Sequence, residues 1–150
     1  MEKIQVETES ALSHAVEDCL KAIFVLAQES KGASTSALAE RLAISPAAVT
    51  KMVKKLAALR LADHSPYRGV TLTPAGEKIA LEVIRHHRLL ELYLQEALGF
   101  TWDQVHGEAE RLEHVLSEEL EARIDKALGF PTHDPHGDPI PDANLKWPAA

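Results

Sequence analysis

Two imidazoles and two carboxylates recur at helical spacing in VHGEAERLEHVL, Val105 to Leu116. The stretch has no Pro. On a wheel of about 100° per residue, its apolar Val105, Ala109, Leu112 and Leu116 fall within about 60° of each other. His106, Glu110, Glu113 and His114 share a neighbouring arc of about 100°. His106–Glu110 and Glu110–His114 are i, i+4 pairs, and Glu113 follows Glu110 at i+3, so these side chains are surface neighbours. Oxygen and imidazole donors without a thiolate suit a divalent cation. Mn2+ or Fe2+ is preferred, with Zn2+, Co2+ or Ni2+ chemically possible. The competing reading is a solvated polar face with an incidental His pair.

Other elements must position any such set. Thr73-Pro74 starts a helix running to about Leu98 by cap-then-Pro logic. Its stripe is Ile79, Val83, Leu90 and Leu94. His87 falls inside that stripe with Glu91 one turn on, which points to a second ligand set, while His86 reads as surface. A first helix, capped by Ser10 or Ser13 and ending near Gln28, has Leu12, Val16, Leu20, Ile23 and Ala27 as its stripe. Asp18 lies about 180° from that stripe, free to face another element. Cys19, at the stripe's edge, reads as a small buried hydrophobe. Thr101 caps the helix of the opening stretch, expected to end near Leu128-Gly129. The Pro-rich residues 131–150 read as an irregular tail or linker.

The chain has 150 residues, 45% hydrophobic and 5% aromatic, which fits a helical protein with an aliphatic core. A single Cys excludes an internal disulfide and suggests a reducing compartment. The N-terminus lacks the basic and apolar regions of a signal peptide, and no apolar run reaches membrane-spanning length. The expectation is a cytoplasmic protein with no membrane partner. Net charge is −7, but Thr35 to Leu72 holds Arg41, Lys51, Lys54, Lys55, Arg60 and Arg68 against Glu40 and Asp63. That segment is +4, which leaves −11 for the remainder of the −7 chain. A basic block in an acidic chain is an electrostatic footprint for nucleic acid.

The same block has helix-turn-helix order. Ser34 or Thr35 caps a short helix with Leu38, Ala39 and Leu42 inside, Ala43-Ile44 turn, and Ser45 caps a second helix with Pro46 first. Val49, Met52, Val53 and Leu56 form its buried side. Ala47, Ala48, Thr50, Lys51 and Lys54 form its open side. Thr50 and Lys51 are placed for bases and Lys54 for phosphate. Two short strands around HSPYR make a wing with Tyr67 and Arg68 near its tip. Thr35, Ser36, Ser45, Pro46 and Ala47 complete the expected DNA-facing set.

These residues carry a resemblance covering nearly the whole chain. VEDCL (Val16–Leu20), SPAAVTKMVKKL, YRGVTLTPAG and HGEAERLEHVLSEEL followed by PHGDPIP are similar to the diphtheria-toxin-repressor family of metal-dependent regulators, including its manganese-transport-regulator branch. The resemblance implies Asp18, Glu110, Glu113 and His114 as one ligand set, and His87, Glu91 and His106 as an ancillary one. Iron-responsive relatives carry Cys at Glu110 and Met at Asp18, and the harder ligands here favour manganese. The manganese branch has Glu where this chain has Lys21. PHGDPIP usually precedes an SH3-like domain.

The expected protein is mainly α: a winged helix-turn-helix DNA-binding domain (1–73), an all-α metal-binding and dimerisation domain (74–130), and the tail. It would be a homodimeric regulator, not an enzyme, coupling Mn2+ or Fe2+ to double-stranded palindromic operator DNA, with Zn2+, Co2+, Ni2+ or Cd2+ substituting in vitro. A metal-independent winged-helix regulator sensing another small molecule is the alternative. A metal hydrolase is disfavoured by the lack of an HExxH or nucleophile motif.

Overall fold

A computed structural model describes residues 2–29, 32–65 and 68–149, with side chains from His14 onward. The chain forms two compact units, residues 1–80 and 81–150, divided inside helix α4 (Pro74–Leu98). No helix among the described residues is long and apolar enough to cross a membrane.

In the first unit, α1 (Glu2–Glu29) begins well before either expected cap. Val16, Leu20 and Ile23 are buried as expected, Leu12 lies outside the described side chains, and Ala27 is exposed. Helices α2 (Thr35–Leu42) and α3 (Pro46–Ala58) form the helix-turn-helix. Each starts on a serine cap: Ser34 Oγ accepts from the Ala37 N–H at 3.0 Å, and Ser45 Oγ from Ala48 at 3.1 Å. Ala43 turns left-handed (φ 55°) to close α2. Leu38, Val49, Val53 and Leu56 are buried, and Met52 is half-buried.

Strands β1 (Ala62–Ser65) and β2 (Gly69–Leu72) pair antiparallel, Ala62 opposite Leu72. The Val70 N–H also donates to the Ala33 carbonyl at 2.9 Å, which ties the wing to the chain ahead of α2. That approach requires Gly69: its φ is +74°, and a Cβ would stand 2.5 Å from Ala33 O. Thr73 caps α4 as its sequence predicts, accepting from Gly76 N–H and donating to Arg60 O at 2.8 Å.

In the second unit, the expected helix from Thr101 to Leu128 is two helices. α5 spans Trp102–Leu112, residues 113–115 turn, and α6 spans Glu118–Ala127. Ser117 Oγ accepts from the Leu120 N–H at 3.1 Å, and Glu118, Glu119 and Glu121 favour the new positive helix start. Val105 and Ala109 are fully buried, but Leu112 is exposed, because the break lets the apolar stripe end early. Leu89, Leu90, Leu92, Ala109, Ile124 and Ile140 form one core cluster, with Tyr93, Leu116 and Leu128 packed on it.

Ile140 belongs to the Pro-rich segment expected to be a tail. The segment is irregular but docked: Arg85 donates to Pro141 O at 2.9 Å and Arg88 to Pro139 O at 2.6 Å. Burying one Ile side chain contributes about 1.5–3 kcal/mol toward holding the segment in place, alongside these two hydrogen bonds.

Candidate metal centre and nucleic-acid interface

The open side of α3 is as the sequence predicts except at Ala48, which is half-buried. Ser45, Pro46, Ala47, Thr50, Lys51 and Lys54 are exposed, as are Ser36 and Arg68, and Thr35 is half-buried. Tyr67 lies outside the described residues. The Thr50 hydroxyl donates to the Pro46 carbonyl at 3.1 Å, so its methyl group and acceptor lone pairs remain for a partner. Asp18 is half-buried on α1. Beside it, burial and the Asp18 charge push the Cys19 thiol up to about 11, so Cys19 stays a neutral buried hydrophobe.

In the second unit, three of the expected ligands converge on a fourth, His87. Its Nε2 lies 3.1 Å from Glu91 Oε1 and 3.2 Å from His106 Nδ1, and its Nδ1 lies 2.6 Å from Glu113 Oε2. His87, Glu91 and Glu113 are buried, whereas the His106 side chain is 62% exposed. Donor atoms of His87, Glu91 and His106 lie within 4.8 Å of one another. Helix α4 supplies His87 and Glu91 at i, i+4, and α5 supplies His106. Glu113 and His114 sit on the turn after α5, His114 Nε2 lying 3.6 Å from Glu113 Oε1. Glu110 points elsewhere: it is exposed and pairs with His106 Nε2 at 3.0 Å.

This set fits a divalent cation by two observations. Its donors are imidazole nitrogens and carboxylate oxygens throughout. Glu91 Oε2 is buried with no hydrogen-bond partner among the described residues, a cost of about 1–3 kcal/mol that a cation would remove. Burial works against the Glu91 charge, yet the hydrogen bond from His87 and the charges of His87, His136 and His106 outweigh it and hold the carboxyl below its usual range.

A third group has no counterpart among the sequence expectations. Glu91, Asp134 and His136 also bring donor atoms within 4.8 Å of each other. Asp134 is buried; its Oδ1 accepts from the N–H groups of His136 and Asp138, both at 2.8 Å, which leaves Oδ2 toward His136 Nδ1 at 3.7 Å. The one sequence signal is the Asp-x-His spacing that runs into PHGDPIP, inside the segment expected to be a tail.

His86, expected at the surface, is half-buried. Its Nδ1 lies 3.1 Å from the Glu113 carbonyl and its Nε2 2.9 Å from Glu121 Oε2. Both partners are acceptors, so only the protonated ring donates to both. Burial opposes the charge, but Glu121, the Glu113 carbonyl and Glu82 raise the His86 pKa above 6.5. Burial likewise opposes the Glu121 charge, but His86 and Arg85 lower its pKa below 4.5. A raised His contributes fully below its unfolded pKa and is lost as pH rises through the folded value. A lowered Glu contributes above its unfolded pKa and is lost as pH falls through the folded value. The pair therefore stabilises fully between 4.5 and 6.5. In chelator, thermal unfolding at about pH 6 and about pH 8 should show wild type losing more stability than His86→Gln. Equal losses would show that His86 is not held charged.

Comparisons with known proteins agree with this geometry. The model of the iron dependent repressor N-terminal DNA binding domain matches residues 11–70, and that of the iron dependent repressor metal binding and dimerisation domain matches residues 73–142. The iron-dependent repressor IdeR of Mycobacterium leprae is 38% identical over 122 residues, 81% of this chain and 53% of its own length. An uncharacterised helix-turn-helix regulator of Methanocaldococcus jannaschii is 37% identical over 114 residues, 75% of this chain and 91% of that protein. A solved manganese-dependent transcriptional repressor in complex with manganese matches with a TM-score of 0.81 at 48% identity, over 89% of this chain and 62% of its own. The chain thus spans about half the length of the curated IdeR it matches (53%). With both halves matched in order, the chain belongs to the iron-dependent, or diphtheria-toxin, repressor family.

Proposed function

We propose that the chain is a metal-activated, homodimeric winged-helix regulator of metal homeostasis, acting in the cytoplasm on double-stranded palindromic operator DNA and not as an enzyme. The observation that carries this is the buried His87–Glu91–Glu113 cluster with its orphaned Glu91 oxygen, in a chain that also presents an exposed basic recognition helix. Solved relatives described as manganese-dependent, and curated ones described as iron-dependent, support a metal signal. The hard donor set favours Mn2+ over Fe2+, with Zn2+, Co2+, Ni2+ or Cd2+ substituting in vitro.

In this reading His87, Glu91 and His106 hold one cation, and Glu91 with Asp134 and His136 holds a second. Glu113 and His114 hold another, and the resemblance adds Glu110 and Asp18 to that set. Bound metal would supply positive charge that neutralises these carboxylates and links their side chains. Asp18 belongs to the unit that carries α3, so its sharing that set would couple metal occupancy to DNA binding. Such coupling is reciprocal. On the DNA side, Ala47 permits close approach in the major groove, and Lys51 reaches a base edge. Thr50, with its hydroxyl proton already donated, offers a methyl and an acceptor. Lys54, Arg68, Tyr67 and the Thr35, Ser36, Ser45 and Pro46 surface contact the backbone.

Fluorescence anisotropy on palindromic promoter fragments, with Mn2+ or with chelator at fixed salt, tests the reading. Metal should tighten binding by about 5–150-fold, the usual range of such coupling. Asp18→Ala should keep its fold and its affinity in chelator but lose that gain. Equally tight wild-type binding in chelator would favour a metal-independent regulator. An unchanged gain in Asp18→Ala would sink the role given to Asp18.

A further inference from the structure

Trp102 is a large aromatic left 53% exposed at the first position of α5. Its ring nevertheless has a close partner: the His136 imidazole, with centroids 3.9 Å apart and planes at 64°. The indole is carried on a fixed support, because the Thr101 N–H donates to Gln104 Oε1 at 3.0 Å and organises the helix start. His136 sits on an irregular loop whose backbone is fastened by Asp134 Oδ1. Backbone fastening does not fix an imidazole about its own side-chain bonds. The indole wall does, and it leaves His136 Nδ1 at 3.9 Å from Glu91 Oε1 and 3.7 Å from Asp134 Oδ2. Glu91 is the carboxylate shared between donor groups: its Oε1 faces both His136 and His87, and its buried Oε2, 3.6 Å from His106 Nδ1, has no hydrogen-bond partner among the described residues.

The geometry points to Trp102 as a positioning residue for a divalent cation held by Glu91, Asp134 and His136: its indole closes over the imidazole and keeps Nδ1 aimed at the two carboxylates. The inference rests on the reading that these three residues hold a cation. Trp102 is not itself a ligand. It acts by removing rotational freedom that His136 would otherwise lose on binding metal. Groups that orient a metal-ligating His are worth about 10–100-fold in affinity, and a single aromatic wall belongs at the lower end, about tenfold.

The test uses the full chain with Mn2+ alone, free and bound ion being counted by electron paramagnetic resonance. The variants are Trp102→Ala, Trp102→Phe and His136→Ala, and unfolding in chelator checks that each retains its fold. Trp102→Ala should weaken one class of bound Mn2+ about tenfold without lowering the number bound at saturation, and Trp102→Phe should recover most of that loss. His136→Ala should lower the number bound. In a Trp147→Phe background, Trp102 is the sole tryptophan, and its fluorescence should change as that class fills. Wild-type affinity in Trp102→Ala, with the site lost in His136→Ala, overturns the positioning role and leaves the site standing. An undiminished count in His136→Ala removes the site, and the positioning role falls with it.

Discussion

Glu113→Gln should abolish the gain in operator affinity that metal produces, a loss of about 5–150-fold, while leaving binding in chelator unchanged. Glu113 is 1% exposed and is the carboxylate that stands between two imidazoles: Oε2 faces His87 Nδ1 at 2.6 Å and Oε1 faces His114 Nε2 at 3.6 Å. Gln preserves the side-chain volume, so the core around it does not open a cavity. What changes is charge. A neutral amide is a weaker ligand than a carboxylate, and its NH2 end presents a donor where two imidazoles need an acceptor. The effect should appear in metal titrations as a loss of affinity and in anisotropy as a loss of response. Retention of the full metal-dependent gain by Glu113→Gln would remove Glu113 from the ligands and with it the argument that the cluster is the sensor.

The parts of this protein governed by local chemistry are legible in its sequence. Ser45-Pro46 and Thr73-Pro74 announce helix starts because cap and ring act within one turn, and both starts stand where expected. His87 and Glu91 read as neighbours because a fourth-neighbour spacing survives any helical context, and they meet at 3.1 Å. The break after Leu112 is invisible to periodicity, because Glu113 keeps helical angles (φ −59°, ψ −28°) through the turn. Only the Ser117 cap and its acids mark the new start. His86 reads as surface because it lies about 100° around the helix from His87. Its burial comes from Glu121 and the Glu113 carbonyl, distant in sequence. Asp134 and His136 lie in a Pro-rich stretch with no period to read, and their meeting with Glu91 is a tertiary event.

Arg85→Met should cost about 3–5 kcal/mol of stability, the usual penalty for removing one partner of a buried ion pair. No sequence pattern singles out Arg85, the first of the run Arg85-His86-His87-Arg88 on α4, yet it is only 3% exposed. Its guanidinium reaches Glu121 Oε1 at 2.5 Å, Asp125 Oδ2 at 3.0 Å and the Pro141 carbonyl at 2.9 Å. One side chain thus holds α6 and the C-terminal segment against α4. Met fills comparable space but leaves two carboxylates facing each other with only His86 to offset one of them. Urea unfolding in chelator measures the loss, and the double variant Arg85→Met, Asp125→Leu should cost less than the two single changes added together, because the second removes a charge the first had stranded. A loss under about 1 kcal/mol would mean that the network behaves like an exposed pair. The same variant should also weaken metal binding at Glu91, Asp134 and His136, since Pro141 anchors the loop that carries two of those donors. The segment without regular structure, and the Asp134 and His136 donors it carries, are kept in register with α4 by Arg85 together with Arg88 and the buried Ile140.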